Sequence, residues 1–75
     1  MFDRVKTIIE SYVKRDDIEI TPETDLLGDL GMNSLELVEL VCIFETEFDM
    51  DIPEKDIRRF MTVHDVTEYL EAAGA

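Results

Sequence analysis

The chain has 75 residues and a formal net charge of −12, which arises from 19 acidic and 7 basic side chains. A chain of this length buries only a small core, so we expect residues 1–75 to form a single domain. The negative charge disfavours nucleic acids and anionic membranes as partners. The alternative is that the acidity serves solubility alone.

The acidic residues are concentrated in the middle of the chain. Residues 16–54 contain 13 acids and no lysine or arginine, a charge pattern that attracts basic protein surfaces. The single cysteine, Cys42, excludes an internal disulfide. Neither a leader peptide nor an apolar run of about 18 residues is present. We therefore expect a free-standing cytoplasmic monomer that does not insert into membranes.

The first predicted element is an amphipathic helix. Its apolar residues recur at helical spacing: Phe2, Val5, Ile8, Ile9, Tyr12 and Val13. We expect this helix to end near Arg15, with Lys14 and Arg15 beside the negative end of the helix dipole. A long connection follows over residues 16–33, with one short turn at Thr21-Pro22-Glu23. Its apolar residues are expected to hold it across the helices: Ile18, Ile20, Leu26, Leu27 and Leu30.

The second predicted helix runs from Ser34 to Phe48. Asn33 is typical of a helix cap, and Glu36 can reach back to it in a variant of the capping box. Ser34 is therefore expected in the first turn, at the rim of a loop, with its hydroxyl free. No His or Lys is close in sequence to activate that hydroxyl. This favours a serine that another protein modifies over a serine that attacks by itself.

The second helix has two faces with different predicted roles. The face expected to be buried comprises Leu37, Leu40, Val41, Phe44 and Phe48. The other face, which we call the docking face, combines apolar and acidic side chains: Leu35, Glu36, Val38, Glu39, Cys42 and Glu45. Apolar surface beside carboxylates is typical of a site for a protein partner. The alternative is that the first helix or the long connection covers Leu35 and Val38.

Two further helices complete the predicted fold. Pro53 favours the start of a short third helix through Phe60. Thr62 is expected to cap the last helix, whose apolar residues are Val63, Val66, Tyr69 and Leu70. The pattern predicts an all-α fold, a small four-helix bundle of three main helices plus a short third helix, with a long first loop.

Two motifs in this half of the chain do not predict catalysis or metal binding. The acidic residues around Asp49 and Asp51 lack the glycine of a calcium loop, and Pro53 holds a ligand position. His64, the only histidine, is expected to be an exposed surface residue. We predict no metal site and no catalytic residue.

The region around Ser34 resembles a known family signature. The run Asp29-Leu30-Gly31-Met32-Asn33-Ser34-Leu35-Glu36 is similar to the Asp-Leu-Gly-x-Asp-Ser-Leu-Asp/Glu signature of acyl carrier proteins. Further matches extend the resemblance over essentially the whole chain: Thr24-x-Leu26, Val38-Glu39-Leu40-Val41, Glu45-x-Glu47-Phe48, Ile52-Pro53 and Thr62-Val63-x-Asp65-Val66.

The resemblance implies a carrier and not an enzyme. In that family, the serine matching Ser34 bears a covalent 4′-phosphopantetheine arm, which a phosphopantetheinyl transferase adds and whose thiol holds acyl groups as thioesters. The implied partners are acyl-transferring and chain-elongating or modifying enzymes, whose basic patches meet the docking face. In many members the acyl chain also folds back into the core, which here would be lined by Leu37, Leu40, Phe44, Ile52, Ile57 and Phe60.

Several positions depart from the family pattern. Asn33 replaces the usual aspartate, Cys42 replaces a larger apolar residue, and Arg58 and Arg59 stand where fatty-acid carriers are often acidic. These departures favour a specialised carrier for a modified fatty acid, a lipid or a polyketide over a housekeeping one. Two alternatives remain open. One is an aminoacyl or peptidyl carrier, which the acidic second helix disfavours, and the other is an acidic helical adaptor whose Ser34 is never modified.

Overall fold

The computed structural model describes all of residues 1–75, and it contains four helices and no strand. These are α1 (Phe2–Val13), α2 (Ser34–Phe48), α3 (Glu54–Ile57) and α4 (Val63–Ala72). Helix α1 packs against both α2 and α4, and α3 packs against α2. The predicted all-α bundle with a short third helix and a long first connection is confirmed. None of the helices has both the length and the apolar character needed to cross a bilayer.

One cluster of 15 buried apolar residues forms the core. Helix α2 contributes Leu37, Leu40, Val41 and Phe44, as its periodicity predicts. Phe48 is only half-buried, and the Arg4 guanidinium lies 4.4 Å from the centre of its ring. From the long connection, Ile20, Leu26 and Leu30 join the cluster and Ile18 packs against it. The prediction is wrong for Leu27, which is exposed.

Two helices end earlier than their sequence signals predict. Helix α1 ends at Val13 because Lys14 adopts the left-handed conformation, with φ of 52°. The predicted placement of Lys14 and Arg15 in the last turn is therefore wrong, and Arg15 instead pairs with Asp17 at 2.7 Å. Helix α3 ends at Ile57 instead of continuing to Phe60. The ring of Phe60 packs edge-on against the ring of Tyr69 in α4.

The long connection is attached to the start of α4. Three backbone hydrogen bonds join them: Leu26 N–H to Met61 C=O at 2.9 Å, Val63 N–H to Thr24 C=O at 3.0 Å, and His64 N–H to Pro22 C=O at 2.8 Å. Thr62 caps α4 as predicted, in a capping box with Asp65. Backbone N–H groups of Thr62 and Met61 donate to the Asp65 carboxylate and hold its pKa below the usual value. These contacts fix the loop that leads into α2.

Candidate functional site

Ser34 is the first residue of α2, and its side chain is exposed. The chain reaches it through Gly31, whose φ of 68° lies in the left-handed region that glycine adopts at low cost. The next residue, Met32, is buried in the core and anchors the loop directly before the helix. None of the side-chain hydrogen bonds at this helix start uses the Ser34 hydroxyl. That hydroxyl is therefore available to a second molecule.

A reciprocal pair of hydrogen bonds fixes the start of α2. The Glu36 backbone N–H donates to Asn33 Oδ1 at 2.8 Å, and the Asn33 backbone N–H donates to Glu36 Oε1 at 3.0 Å. The predicted cap and capping box are confirmed. The other N–H groups of the first turn have no partner within the helix, so the positive end of the helix dipole lies beside the Ser34 hydroxyl.

Replacing Asn33 with alanine is expected to lower the free energy of unfolding by about 1 kcal/mol, because the Glu36 N–H loses its acceptor. Urea denaturation followed by circular dichroism measures the change. Asn33→Asp is the control, because aspartate caps helices about as well as asparagine. If Asn33→Ala were as stable as the wild type, the bond from the Glu36 N–H to Asn33 would contribute nothing to the stability of the protein.

The apolar part of the docking face is open to solvent. The exposed fraction is 68% for Leu35 and 40% for Val38, and Cys42 is also exposed. The alternative in which the first helix or the long connection covers Leu35 and Val38 is therefore wrong. Exposure alone does not identify a partner, so the role of this face in docking stays a prediction.

Each acidic side chain of the docking face is also held by the protein. Glu36 is in the capping box. Glu39 Oε1 accepts a hydrogen bond from the Tyr12 hydroxyl at 2.6 Å, and this bond raises the pKa of Tyr12 to about 12. Glu45 Oε2 accepts from the Ile52 backbone N–H at 2.8 Å. These bonds restrain the carboxylates, so the carboxylates lose less side-chain entropy when they pair with a partner.

A cleft of about 550 Å³ opens beside Ser34, between α2, α3 and the long connection. Its apolar walls are formed by Leu27, Leu37, Val38, Ile57, Phe60 and Met61, and its charged residues are Asp25, Glu54 and Arg58. No group of three or more His, Cys, Asp or Glu side chains is placed to hold a metal ion.

The residues that line the cleft agree only in part with the residues predicted to line an acyl chain. Leu37, Ile57 and Phe60 do line it. The remaining predicted residues, Leu40, Phe44 and Ile52, are instead packed in the core. Sequence reasoning missed Leu27 and Met61, because only the pairing of the long connection with the start of α4 brings them to Ser34.

Comparison with known proteins identifies the family. Residues 3–70 match the family described as the phosphopantetheine attachment site. The chain belongs to the acyl carrier protein family. Acyl carrier proteins from three strains of Clostridium perfringens are 44% identical to it over 70 residues, which is 93% of this chain and 92% of each relative. A solved Mycobacterium tuberculosis structure, assigned as an acyl carrier protein, has a TM-score of 0.86 and 31% identity over 95% of both chains.

Membership of this family confirms the predicted class of function. The protein is a carrier of acyl groups and not an enzyme, and its cofactor is 4′-phosphopantetheine. Acyl carrier proteins work with a phosphopantetheinyl transferase and with biosynthetic enzymes. The adaptor alternative loses its support, because the matched family is defined by the attachment of the arm.

Proposed function

We propose that Ser34 bears the phosphopantetheine arm, and that this carrier presents acyl thioesters to enzymes of fatty acid, lipid or polyketide biosynthesis. One observation supports this proposal most directly. The Ser34 hydroxyl is exposed and free of hydrogen bonds at the capped start of α2, at the edge of an apolar cleft. Asn33 holds the helix start in place beside it.

The residues around Ser34 fit the chemical groups of the arm. The N–H groups and dipole at the start of α2 stabilise a phosphodiester anion on the serine oxygen. The apolar walls of the cleft suit the hydrocarbon part of the arm. When attached, the arm supplies a thiol that holds the acyl group, while Ser34 tethers it and the rigid helix start sets its direction.

We further propose that the docking face receives the phosphopantetheinyl transferase and the acyl-transferring and chain-elongating or modifying enzymes. Its exposed apolar residues can contact a partner directly, and its fixed carboxylates can pair with basic side chains. Exposed charge pairs are weak and sensitive to salt, which suits a carrier that must dissociate after each delivery. A monomeric carrier in the cytoplasm stays a prediction.

Glu39→Lys is expected to weaken binding of a basic partner by about three- to tenfold at low salt, because one fixed attraction becomes a repulsion. The loss should shrink near about 0.5 M salt, where charges are screened within a few ångströms. Binding to the transferase can be measured by surface plasmon resonance. Equal affinity of mutant and wild type at low salt would remove Glu39 from the docking face.

Two control variants separate the possible causes of that loss. Tyr12→Phe removes the hydrogen bond to Glu39 but keeps the carboxylate, so it should retain most of the affinity. Glu71→Lys makes the same charge change at an exposed residue of α4, outside the docking face. If Glu71→Lys weakened binding as much as Glu39→Lys, net charge would explain the loss and the docking face would not.

The assignment of Ser34 is tested by loading the wild-type protein. The protein is incubated with coenzyme A and a broad-specificity phosphopantetheinyl transferase, and its intact mass is measured before and after. We expect the mass of one arm to be added, and fragmentation of the modified peptide should place it on Ser34. A folded protein that gains no mass, or that bears the arm on another residue, would contradict the proposal.

A further inference from the structure

Arg58 is the only cationic residue among those that line the cleft with Ser34. Arg15 pairs with Asp17, and no carboxylate lies within 4.0 Å of the Arg58 guanidinium nitrogens, so Arg58 is not paired with a carboxylate. Glu54 also lines the cleft, one helical turn before Arg58, but it lies beyond ion-pair distance from it. The Arg58 guanidinium is therefore free to bind an anion.

The other acid in this cleft, Asp25, is not paired with Arg58 either. Asp25 Oδ1 already accepts hydrogen bonds from the backbone N–H groups of Leu27 and Gly28, both at 3.1 Å. These bonds hold the carboxylate toward its own loop, and no ion pair joins Asp25 to Arg58. Arg58 is therefore the one unpaired cation that lines the cleft and can meet a new anion there.

The arm brings such an anion to a defined place. Its phosphodiester is bonded directly to the serine oxygen, so it stays beside the cleft whatever the rest of the arm does. The thiol end is separated from the serine by a long flexible chain and has no such restraint. Arginine binds phosphate oxygens through two parallel N–H groups, in a geometry that also sets direction.

We propose that Arg58 is a positioning residue that pairs with the phosphodiester of the arm and directs the arm along the apolar wall of the cleft. This inference rests on the proposed attachment at Ser34. With the phosphate held between the start of α2 and Arg58, the arm runs past Leu37, Ile57 and Met61, which line the cleft.

Arg59 provides a matched control. It is the next residue in the chain and also exposed, but it lines a different depression, together with Asp65, Glu68 and Tyr69 on the α4 side. Removing either arginine changes the net charge equally. Only the removal of Arg58 should affect the arm.

The experiment compares loaded wild type, Arg58→Gln, Arg58→Lys and Arg59→Gln by NMR. Intact mass first confirms that each sample carries one arm. We then measure nuclear Overhauser effects between the methyl groups of the arm and those of Leu37, Ile57 and Met61, and the ³¹P shift of the phosphodiester as salt is added. The wild type should show these contacts, and salt should move its ³¹P signal and weaken the contacts.

In Arg58→Gln the contacts should weaken by about two- to fivefold, the range expected for losing one exposed ion pair, and the ³¹P shift should respond less to salt than in the wild type. Arg59→Gln should match the wild type, and Arg58→Lys should restore part of the effect through its single charge. Equal contacts in wild type and Arg58→Gln would overturn the inference, as would a loaded wild type whose arm does not touch the cleft. A wild type that gains no mass overturns the attachment at Ser34 as well, so the mass measurement separates the two failures.

Discussion

Ser34→Ala is expected to take up no phosphopantetheine, whereas Ser11→Ala is expected to be loaded like the wild type. The chain contains only these two serines, and both are exposed, so exposure alone does not distinguish them. Ser34 lies at the capped start of α2 beside the cleft. Ser11 lies in the last turns of α1, in a depression between α1 and α2. Only Ser34 offers a hydroxyl next to unpaired backbone N–H groups that stabilise a phosphodiester.

Intact mass after the same incubation with transferase and coenzyme A checks this pair of variants. Ser34→Ala removes a side chain that makes no hydrogen bond, so its free energy of unfolding should stay within about 0.5 kcal/mol of the wild type. Circular dichroism and urea denaturation provide that control. An arm on folded Ser34→Ala, or a loss of loading in Ser11→Ala, would show that the attachment site is not Ser34.

The bounds of α2 could be predicted from the sequence because the signals that set them are local. Asn33 and Glu36 lie within one turn of each other and form the capping box, and Asp49 ends the helix in the left-handed conformation. The ends of α1 and α3 have no comparable local signal. Lys14 is left-handed although its residue type rarely is, and the turn after α3 places Phe60 against Tyr69.

The difference between local signals and contacts that are distant in sequence also explains which parts of the candidate site were predictable. Helical periodicity alone places Leu35 and Val38 on the open side of α2, and the structure exposes both. It cannot show that Glu39 is held by Tyr12, which is 27 residues away in the chain. Arg58 and Met61 come beside Ser34 only through the contacts of the loop with α4 and of α3 with α2. Local patterns therefore predict the exposed serine at the start of α2 and the open side of that helix, but not the cleft.

Leu40→Ala is expected to lower the free energy of unfolding by about 2–5 kcal/mol, because it leaves a cavity in a packed core. Leu40 is fully buried and belongs to the single hydrophobic cluster. A domain of this size has a total stability of only about 4–11 kcal/mol, so the loss is a large share of it. Each lost kcal/mol should lower the melting temperature by about 4–8 °C, which thermal denaturation followed by circular dichroism measures.

Leu35→Ala on the same helix is the matched control, because the identical change at a side chain that is 68% exposed should cost less than about 0.5 kcal/mol.

The stability of Leu40→Ala also tests where an acyl chain can lie. If Leu40 and Phe44 are tightly packed, a chain that entered the core would have to displace them at a cost of similar size, and the open cleft at Ser34 becomes the favoured place for it. A loss below about 1 kcal/mol in Leu40→Ala would instead indicate a loosely packed core that an acyl chain could enter.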